Sequence, residues 1–405
     1  MKASIIIPSY NSSERLYLNL LALNNQSYNG NDIEVIVVDN GSTDSTSLML
    51  DNFELKYPFK RLRVEKNIGI ANGRNVGIKN ASGDILIFHD SDMLAEKDYI
   101  VKHINAHTDS NLVVCGIAWK RIFTFYYKNF SSAQLEALKK QCSKLNTEIV
   151  NLCDFSDKQQ LIPEYEITDF NLEKYAFDLD IDFIRELKSL IEIYGEDLNN
   201  YSLPWRFFIT NNLSVERRRV LDVGMFDAKI CKYGYEDYDL GIRLFKSGCT
   251  YKFSQDIISI HQEHPSNFTY LHLMENLNYM CKKYNNTLFI DFILVCIGDT
   301  LSLINDDFNI IISEIDKIRS LNKYNFILKL YLMLLQLHRK RLFSPTEDNS
   351  IYVFSFVAEN MQEIIRQMNE LINKYKFNVV VNHICKLLMN LLNVDMKPFL
   401  TSYRR

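Results

Sequence analysis

The stretch GDILIFHDSDML, residues 83–94, sets an apolar run from Ile85 to Phe88 directly against His89-Asp90-Ser91-Asp92. A short continuous apolar run bounded by polar residues reads as a buried strand. Two carboxylates one residue apart at its end repel each other and lose hydration. Such a pair is stable where a cation sits beside it. The same pattern of apolar run and polar end occurs upstream in ASIIIPSY (3–10) and in IEVIVVDNGSTD (33–44), which ends on Asp39.

Between these runs lie helical patterns: SERLYLNLLALNNQ (13–26), a segment after Ser45, and IANGRNVGIKNAS (70–82). FKRLRVEK (59–66) reads as a further short strand. Buried runs alternating with helices predict an α/β fold, a mostly parallel sheet with helices on both faces. Ligands of such sheets bind beyond the carboxyl ends of the strands. Pro8 to Asn11, Asp39 to Ser42 and His89 to Asp92 all fall there, so one site is expected from three strand ends.

Length and composition are consistent with this. The chain has 405 residues, 47% hydrophobic and 24% charged, enough for two or three domains with a large core. A net charge of −4 argues against nucleic acid as a partner. The eight cysteines form no CxxC pair and read as reduced thiols of a cytoplasmic protein. The apolar run at the N-terminus is too short for a signal peptide. TLFIDFILVCIG and FILKLYLMLLQL are too short to span a membrane and read as buried helices.

Three divisions follow from the patterning. Residues 1–267 form the α/β domain. Within it, about 121–203 reads as an acidic helical insertion without clear strands, either a lid or acceptor subsite or a solvated decoration. LPWRFFITNNLSVERRRVLDVGMFD returns to strand and helix, followed by a loop, a helix and a final strand pair in 232–265. Residues 268–405 read as a C-terminal helical domain. Its FILKLYLMLLQLHRKRLF segment has an apolar face and a basic end, which suits a helical bundle, a homo-oligomer contact or a peripheral membrane surface.

Asp90 and Asp92 suit a hard divalent cation such as Mn²⁺ or Mg²⁺ that shares its ligands with a diphosphate. Alone, a DxD is more often a solvated turn. HQEHP (261–265) ends a strand signal, and His261, preferred over His264, would complete an Asp/Asp/His set. YGYEDYDLGIRL (233–244) opens a helix with Glu236 and Asp237. Acids there are favoured by the helix dipole whatever their function, and either could act as a general base. Asp239 reads as a cap.

In combination these segments resemble a GT-A fold nucleotide-sugar glycosyltransferase of the family 2 type. SIIIPSYN, EVIVVDNGSTDST, NIGIANGRNVGIKNASGDILIFHDSD, TNNLSVERRRVLDVGMFD, YGYEDYDLGIRL and IHQEHP occur in the family's order over roughly residues 1–265. The later segments resemble the chondroitin-polymerase and galactosyltransferase-like branch. There a Gly-Glu-Asp loop stands where this chain has Gly-Tyr-Glu-Asp, so Tyr235 would narrow the donor or acceptor pocket. The resemblance implies a Rossmann-like sheet and a UDP-sugar donor. Pro8, Tyr10, Asp39, Asn67, Arg74 and Asp90 would bind the nucleotide, and Asp90, Asp92 and His261 the metal. Asn211 and Asn212 would line the sugar site, Asp237 would be the base and Glu236 would hold hydroxyls. The expected activity is metal-dependent, inverting transfer to a glycan, lipid-linked glycan, peptide or protein, in bacterial surface polysaccharide synthesis. The expected location is cytoplasmic, at the inner membrane face if the tail meets lipid. The alternatives are a peptide or protein glycosyltransferase and a catalytically silent sugar-nucleotide-binding or glycan-binding protein. A nucleotidyltransferase fits poorly, because PSYNSSERL has no glycine.

Overall fold

The computed structural model describes residues 2–144, 157–265, 269–284, 306–343 and 350–392. The chain divides into two compact units, Met1–Asn199 with Pro204–Leu273, and Asn200–Leu203 with Met274–Arg405.

The first unit is α/β. Strands β1 (Ala3–Ser9), β2 (Ile33–Asp39), β3 (Phe59–Arg63) and β4 (Ile85–His89) run parallel in the order β3-β2-β1-β4. They alternate with α1 (Ser13–Asn24), α2 (Thr46–Asn52) and α3 (Ile70–Asn80). After β5 (Met93–Ala95) and α4 (Tyr99–Ala106), the sheet continues through β6 (Leu112–Ile122). Two later strands complete it, β10 (Asn212–Glu216), inserted antiparallel between β4 and β6, and β11 (Thr250–Gln262), parallel to β6. Odd-numbered residues of β1 and β2 (Ile5, Ile7, Val35, Val37) pack on Leu16 and Leu20 of α1 and on Ile100 and Ile104 of α4. The opposite face receives α3, which comes close because residue 77 is glycine: a Cβ there would lie 2.6 Å from Ile6 Cγ2. This is the two-faced sheet that the alternation predicts.

Two expectations are corrected. The insertion does contain strands: β7 (Phe125–Tyr127) pairs with β8 (Lys158–Gln160), and β9 (Phe177–Asp178) pairs with β6. These pieces are two or three residues long and β8 is exposed throughout, so they carry no apolar periodicity. The insertion's helices are α5 (Ser132–Lys144), α6 (Glu164–Thr168) and α7 (Asp182–Tyr194). The expected final strand pair is one strand, β11, of 13 residues, whose pairing with β6 shifts register between Ser254 and Ile258. That irregularity falls where polar Ser254, Gln255 and Asp256 interrupt the apolar pattern. Helices α8 (Arg217–Asp222) and α9 (Glu236–Lys246) flank a loop that lies against the start of α3.

In the second unit, helices at Asp307–Ser320, Asn325–Phe343, Ser350–Glu370 and Asn378–Leu392 pack together. Ile327, Leu330, Tyr331 and Leu334 of the FILKLYLMLLQL segment are fully buried, and the Tyr331 hydroxyl bonds His383 at 2.8 Å. TLFIDFILVCIG lies outside the described residues. No described helix is long and apolar enough to cross a membrane.

One buried acid ties β2 to the start of β4. Glu34 accepts hydrogen bonds from the Ser4 hydroxyl and from the Ser82 hydroxyl and backbone N–H, each at 2.7 Å, and its other oxygen lies 2.7 Å from Lys60 Nζ. Burial opposes its ionisation, but Lys60 and these donors outweigh burial and hold it at about 2. A depressed native pKa contributes stability above the unfolded value, and that contribution is lost as pH falls through the native one. Glu34→Gln is expected to lower unfolding free energy at pH 7 by about 1–3 kcal/mol. The gap to wild type should shrink between roughly pH 4.5 and 2; denaturant melts across that range measure it.

Candidate active site

The strand ends converge as expected, and loop geometry brings them together. Asn11, in left-handed conformation at φ 50°, follows β1. Its Oδ1 accepts the Thr43 N–H at 2.8 Å, and its own N–H donates to Ser42 Oγ at 3.0 Å, so the β1 and β2 loops are clipped together. Asp39 is buried at the end of β2. Its Oδ1 accepts the Ser42 N–H at 2.9 Å. Arg63 approaches Oδ2 at 3.3 Å, but among the described residues that buried oxygen has no hydrogen-bond donor. Pro8 lies in β1 opposite Val38, and Tyr10 is 46% exposed beside it. Asn67 Oδ1 accepts the Gly69 N–H at 2.8 Å and Asn40 Nδ2 at 3.2 Å, shaping the turn into α3.

Arg74, on α3, is the hub. Its side chain is 2% exposed, and its fork reaches three carboxylates: Asp90 Oδ1 at 2.8 Å, Glu236 Oε1 at 3.2 Å and Asp237 Oδ1 at 3.3 Å. The Phe226 ring lies beneath the guanidinium at 5.5 Å. Expected at the nucleotide, Arg74 contacts the protein's own acids through its two terminal nitrogens, while its Nε has no hydrogen-bond partner among the described residues. Burial and Asp237 push the Glu236 carboxyl up, against Arg74. Burial likewise raises Asp90, with Arg74 opposing and Asp92 adding to the shift. Glu236 Oε2 accepts the Gly234 N–H at 2.8 Å, so both its oxygens are engaged within the fold. Asp237 is more open, at 15% side-chain exposure. The Thr210 hydroxyl donates to its Oδ1 at 2.8 Å and the Thr210 N–H to its Oδ2 at 3.3 Å. Tyr235 stands in left-handed conformation at φ 67°, edge-on to Tyr238 at 5.6 Å.

Asp92 points to a different group. His264 Nε2 lies 3.0 Å and His261 Nε2 3.5 Å from its Oδ2. These three residues can place one ligand atom each within 4.8 Å of one another. Asp90 falls outside this set, and His264, the residue passed over in the sequence, falls inside it. Strand β11 ends at Gln262, and the turn that follows returns His264 to the side of His261. Gln134 of α5 fixes that turn by donating to the His264 carbonyl at 2.8 Å and to Glu263 at 3.1 Å. His264 Nδ1 faces the Pro265 carbonyl at 2.9 Å and so carries a proton. Its Nε2 then faces the Asp92 carboxylate at 3.0 Å, where a cation could be shared between them. A ligating histidine is oriented in this way, with its outer nitrogen on a carbonyl. The donor set therefore fits a divalent metal. Burial alone would raise Asp92, but the two imidazoles hold it well below the usual carboxylate range.

Two residues expected at the sugar site separate. Asn211 lies in the turn before β10, at the strand-end face. Asn212 enters β10 and points into the sheet's underside, where Oδ1 accepts from His103 Nε2 at 3.0 Å and Nδ2 donates to the Ile257 carbonyl at 3.0 Å. It occupies the space a Cβ on Gly116 would need, 2.2 Å away. Asn212 is thus a brace of the sheet. His89 faces the same side, its Nδ1 3.2 Å from the Tyr99 hydroxyl, and burial lowers it to about 4. Thr210, which no motif marks, was missed; TNN gives no hint that its first residue grips an acid 27 positions later.

The glycosyl transferase family 2 profile matches residues 4–156. The chain is similar to YfnE of Bacillus subtilis, described as an uncharacterized glycosyltransferase, at 45% identity over 399 residues, covering 98% of this chain and 99% of that one. It is also similar to chondroitin synthase of Pasteurella multocida, at 26% identity over 271 residues, 65% of this chain and 25% of that protein. A solved structure of S. aureus TarS, residues 1–349, aligns with 90% of this chain and 92% of its own at 17% identity and a TM-score of 0.46. The end-to-end similarity and the profile match agree with the strand-end motifs: the chain belongs to glycosyltransferase family 2.

Proposed function

We propose that the protein transfers a sugar from a UDP-sugar to a hydroxyl of a glycan acceptor, with inversion, in bacterial surface polysaccharide synthesis. The observation that carries this reading is the Arg74 network, which sets Asp90 of the strand-end DxD and Asp237 of the helix start around one guanidinium. The Asp39 Oδ2, buried and without a hydrogen-bond donor among the described residues, suits the imide N–H of uracil. Relatives named chondroitin synthase and hyaluronan synthase, at 24–26% identity, support a glycan acceptor.

In the proposed reaction the acceptor oxygen attacks the anomeric carbon as the bond to the diphosphate oxygen breaks, and that oxygen keeps the electron pair. The acceptor proton passes to Asp237. Glu236, engaged through both oxygens, holds the 233–237 loop in place. Asp92, His261 and His264 would hold a divalent metal, whose charge favours departure of the diphosphate. Two imidazoles beside one carboxylate favour Mn²⁺ over Mg²⁺.

Release of UDP from a panel of UDP-sugars, with and without Mn²⁺, tests the reading. Turnover of at least one donor is expected; binding without release would instead mark a silent sugar-nucleotide-binding protein. Asp237→Asn should lose about 10²–10⁴-fold in kcat while donor KM is kept. Turnover at the wild-type rate would sink the base assignment.

The metal reading has its own check. Mn²⁺ should raise the melting temperature of the wild-type protein more than Mg²⁺ does. Asp92→Asn and His264→Ala should each abolish that rise, and a rise surviving both substitutions would place the metal elsewhere.

A further inference from the structure

We infer that Thr210 is the positioning residue of the general base, anchoring Asp237 by Oδ1 so that Oδ2 is the atom that takes the acceptor proton. The inference rests on the reading of Asp237 as the base. Asp237 Oδ1 receives two donors, the Thr210 hydroxyl at 2.8 Å and Arg74 at 3.3 Å. Among the described residues, Oδ2 receives only the Thr210 backbone N–H, at 3.3 Å. A carboxylate oxygen has two lone-pair sites, so Oδ2 keeps one for an incoming hydroxyl. One residue therefore grips both oxygens, which fixes the rotation of the carboxylate as well as its place.

The grip is rigid because Thr210 is held from both sides. It is fully buried, and its β-branched side chain has restricted χ1 freedom. On the N-terminal side, the Pro204–Phe207 turn and Phe208 pack on α9, the helix that begins with Glu236 and Asp237. A Cβ on Gly241 would lie 2.9 Å from Phe208 Cβ, and Trp205 meets Tyr238 edge-on at 6.0 Å. Tyr251 of β11 donates to the Gly241 carbonyl at 2.7 Å and pins the same turn of helix. On the C-terminal side, Asn212 enters β10 opposite His89 of β4. Thr210 thus refers the base to the sheet end that carries Asp90 and Asp92. Arg74 also touches Asp237, but it is shared with two other acids. Thr210 donates to Asp237 through both its hydroxyl and its backbone N–H.

The test compares Thr210→Val, Thr210→Ser and Asp237→Asn as full-length proteins. UDP release is measured with the UDP-sugar that reacts fastest, water serving as acceptor where no glycan is added. Thr210→Val keeps shape and the backbone N–H but removes the hydroxyl. Its kcat should fall about 10- to 100-fold, the range of one hydrogen bond to a charged group. Donor KM should stay within about twofold, since the loss acts on the reacting proton rather than on donor binding. Thr210→Ser should recover most of the rate, which a purely packing role for the γ-methyl would not allow. Thr210→Val at the wild-type rate, Thr210→Ser as slow as valine, or a loss confined to donor KM would each overturn the inference. Inactive Asp237→Asn beside fully active Thr210→Val would overturn the positioning alone. Active Asp237→Asn would overturn the base reading on which it stands.

Discussion

One buried guanidinium organises the catalytic unit. Arg74 is removed from water, and a guanidinium there is tolerable only with carboxylates in good geometry. Its partners come from distant parts of the chain: Asp90 after β4, Glu236 and Asp237 at the start of α9. Several features serve to bring them together. Asn75 and Phe226 exchange two hydrogen bonds at 2.9 Å, which fixes the ring under Arg74. Gly69, at φ 86°, lets the loop near Cys231 sit against the start of α3, where a Cβ would come within 2.0 Å of the Cys231 carbonyl oxygen. Removing one acid would leave others facing the cation, but removing Arg74 would leave three acids, buried or half-buried, facing one another. The arginine is therefore the member of the network the structure can least do without.

That arrangement separates the acids by role. Glu236 is the most enclosed, engaged through both oxygens, and has its carboxyl pushed up by burial. Asp237 is next to it in sequence yet keeps an open edge. Two adjacent acids in one helical turn would repel if equally exposed and equally charged. Here one is held in the fold and favours its proton, while the other is partly open to solvent. The difference arises from burial and partners, since the residue types are nearly alike.

Much of this was legible in the sequence. Apolar runs ending in polar residues marked β1, β2 and β4, and the alternation with helices implied the two-faced sheet. The DxD, the Glu-Asp helix start and the strand-end histidine pointed to residues that the fold brings together at the strand ends. What was not legible depends on side-chain direction. Asn211 and Asn212 are adjacent, but strand pleating sends Asn212 to His103 beneath the sheet. The contacts of Arg74 with Glu236 and Asp237 were not legible, because helical spacing does not show which acids a distant loop delivers. His264 and His261 looked like alternatives because the turn after Gln262 has no periodicity to read. The short strands of the insertion were unreadable for the same reason.

The two acids of HDSD were first a problem of repulsion at the end of a buried strand. A single shared cation would solve it, but the geometry solves it differently. Asp90 turns to Arg74, and Asp92 turns to His261 and His264. Each acid has its own cationic or metal-binding partner, and Ser91 between them is held by the Ser12 hydroxyl at 3.0 Å. The one-residue spacing is what permits this, since it lets two neighbouring carboxylates leave the strand end in different directions. Asp90 then belongs to the network that reaches Asp237, and Asp92 to the cluster with His261 and His264. The DxD is best understood as a junction between those two systems.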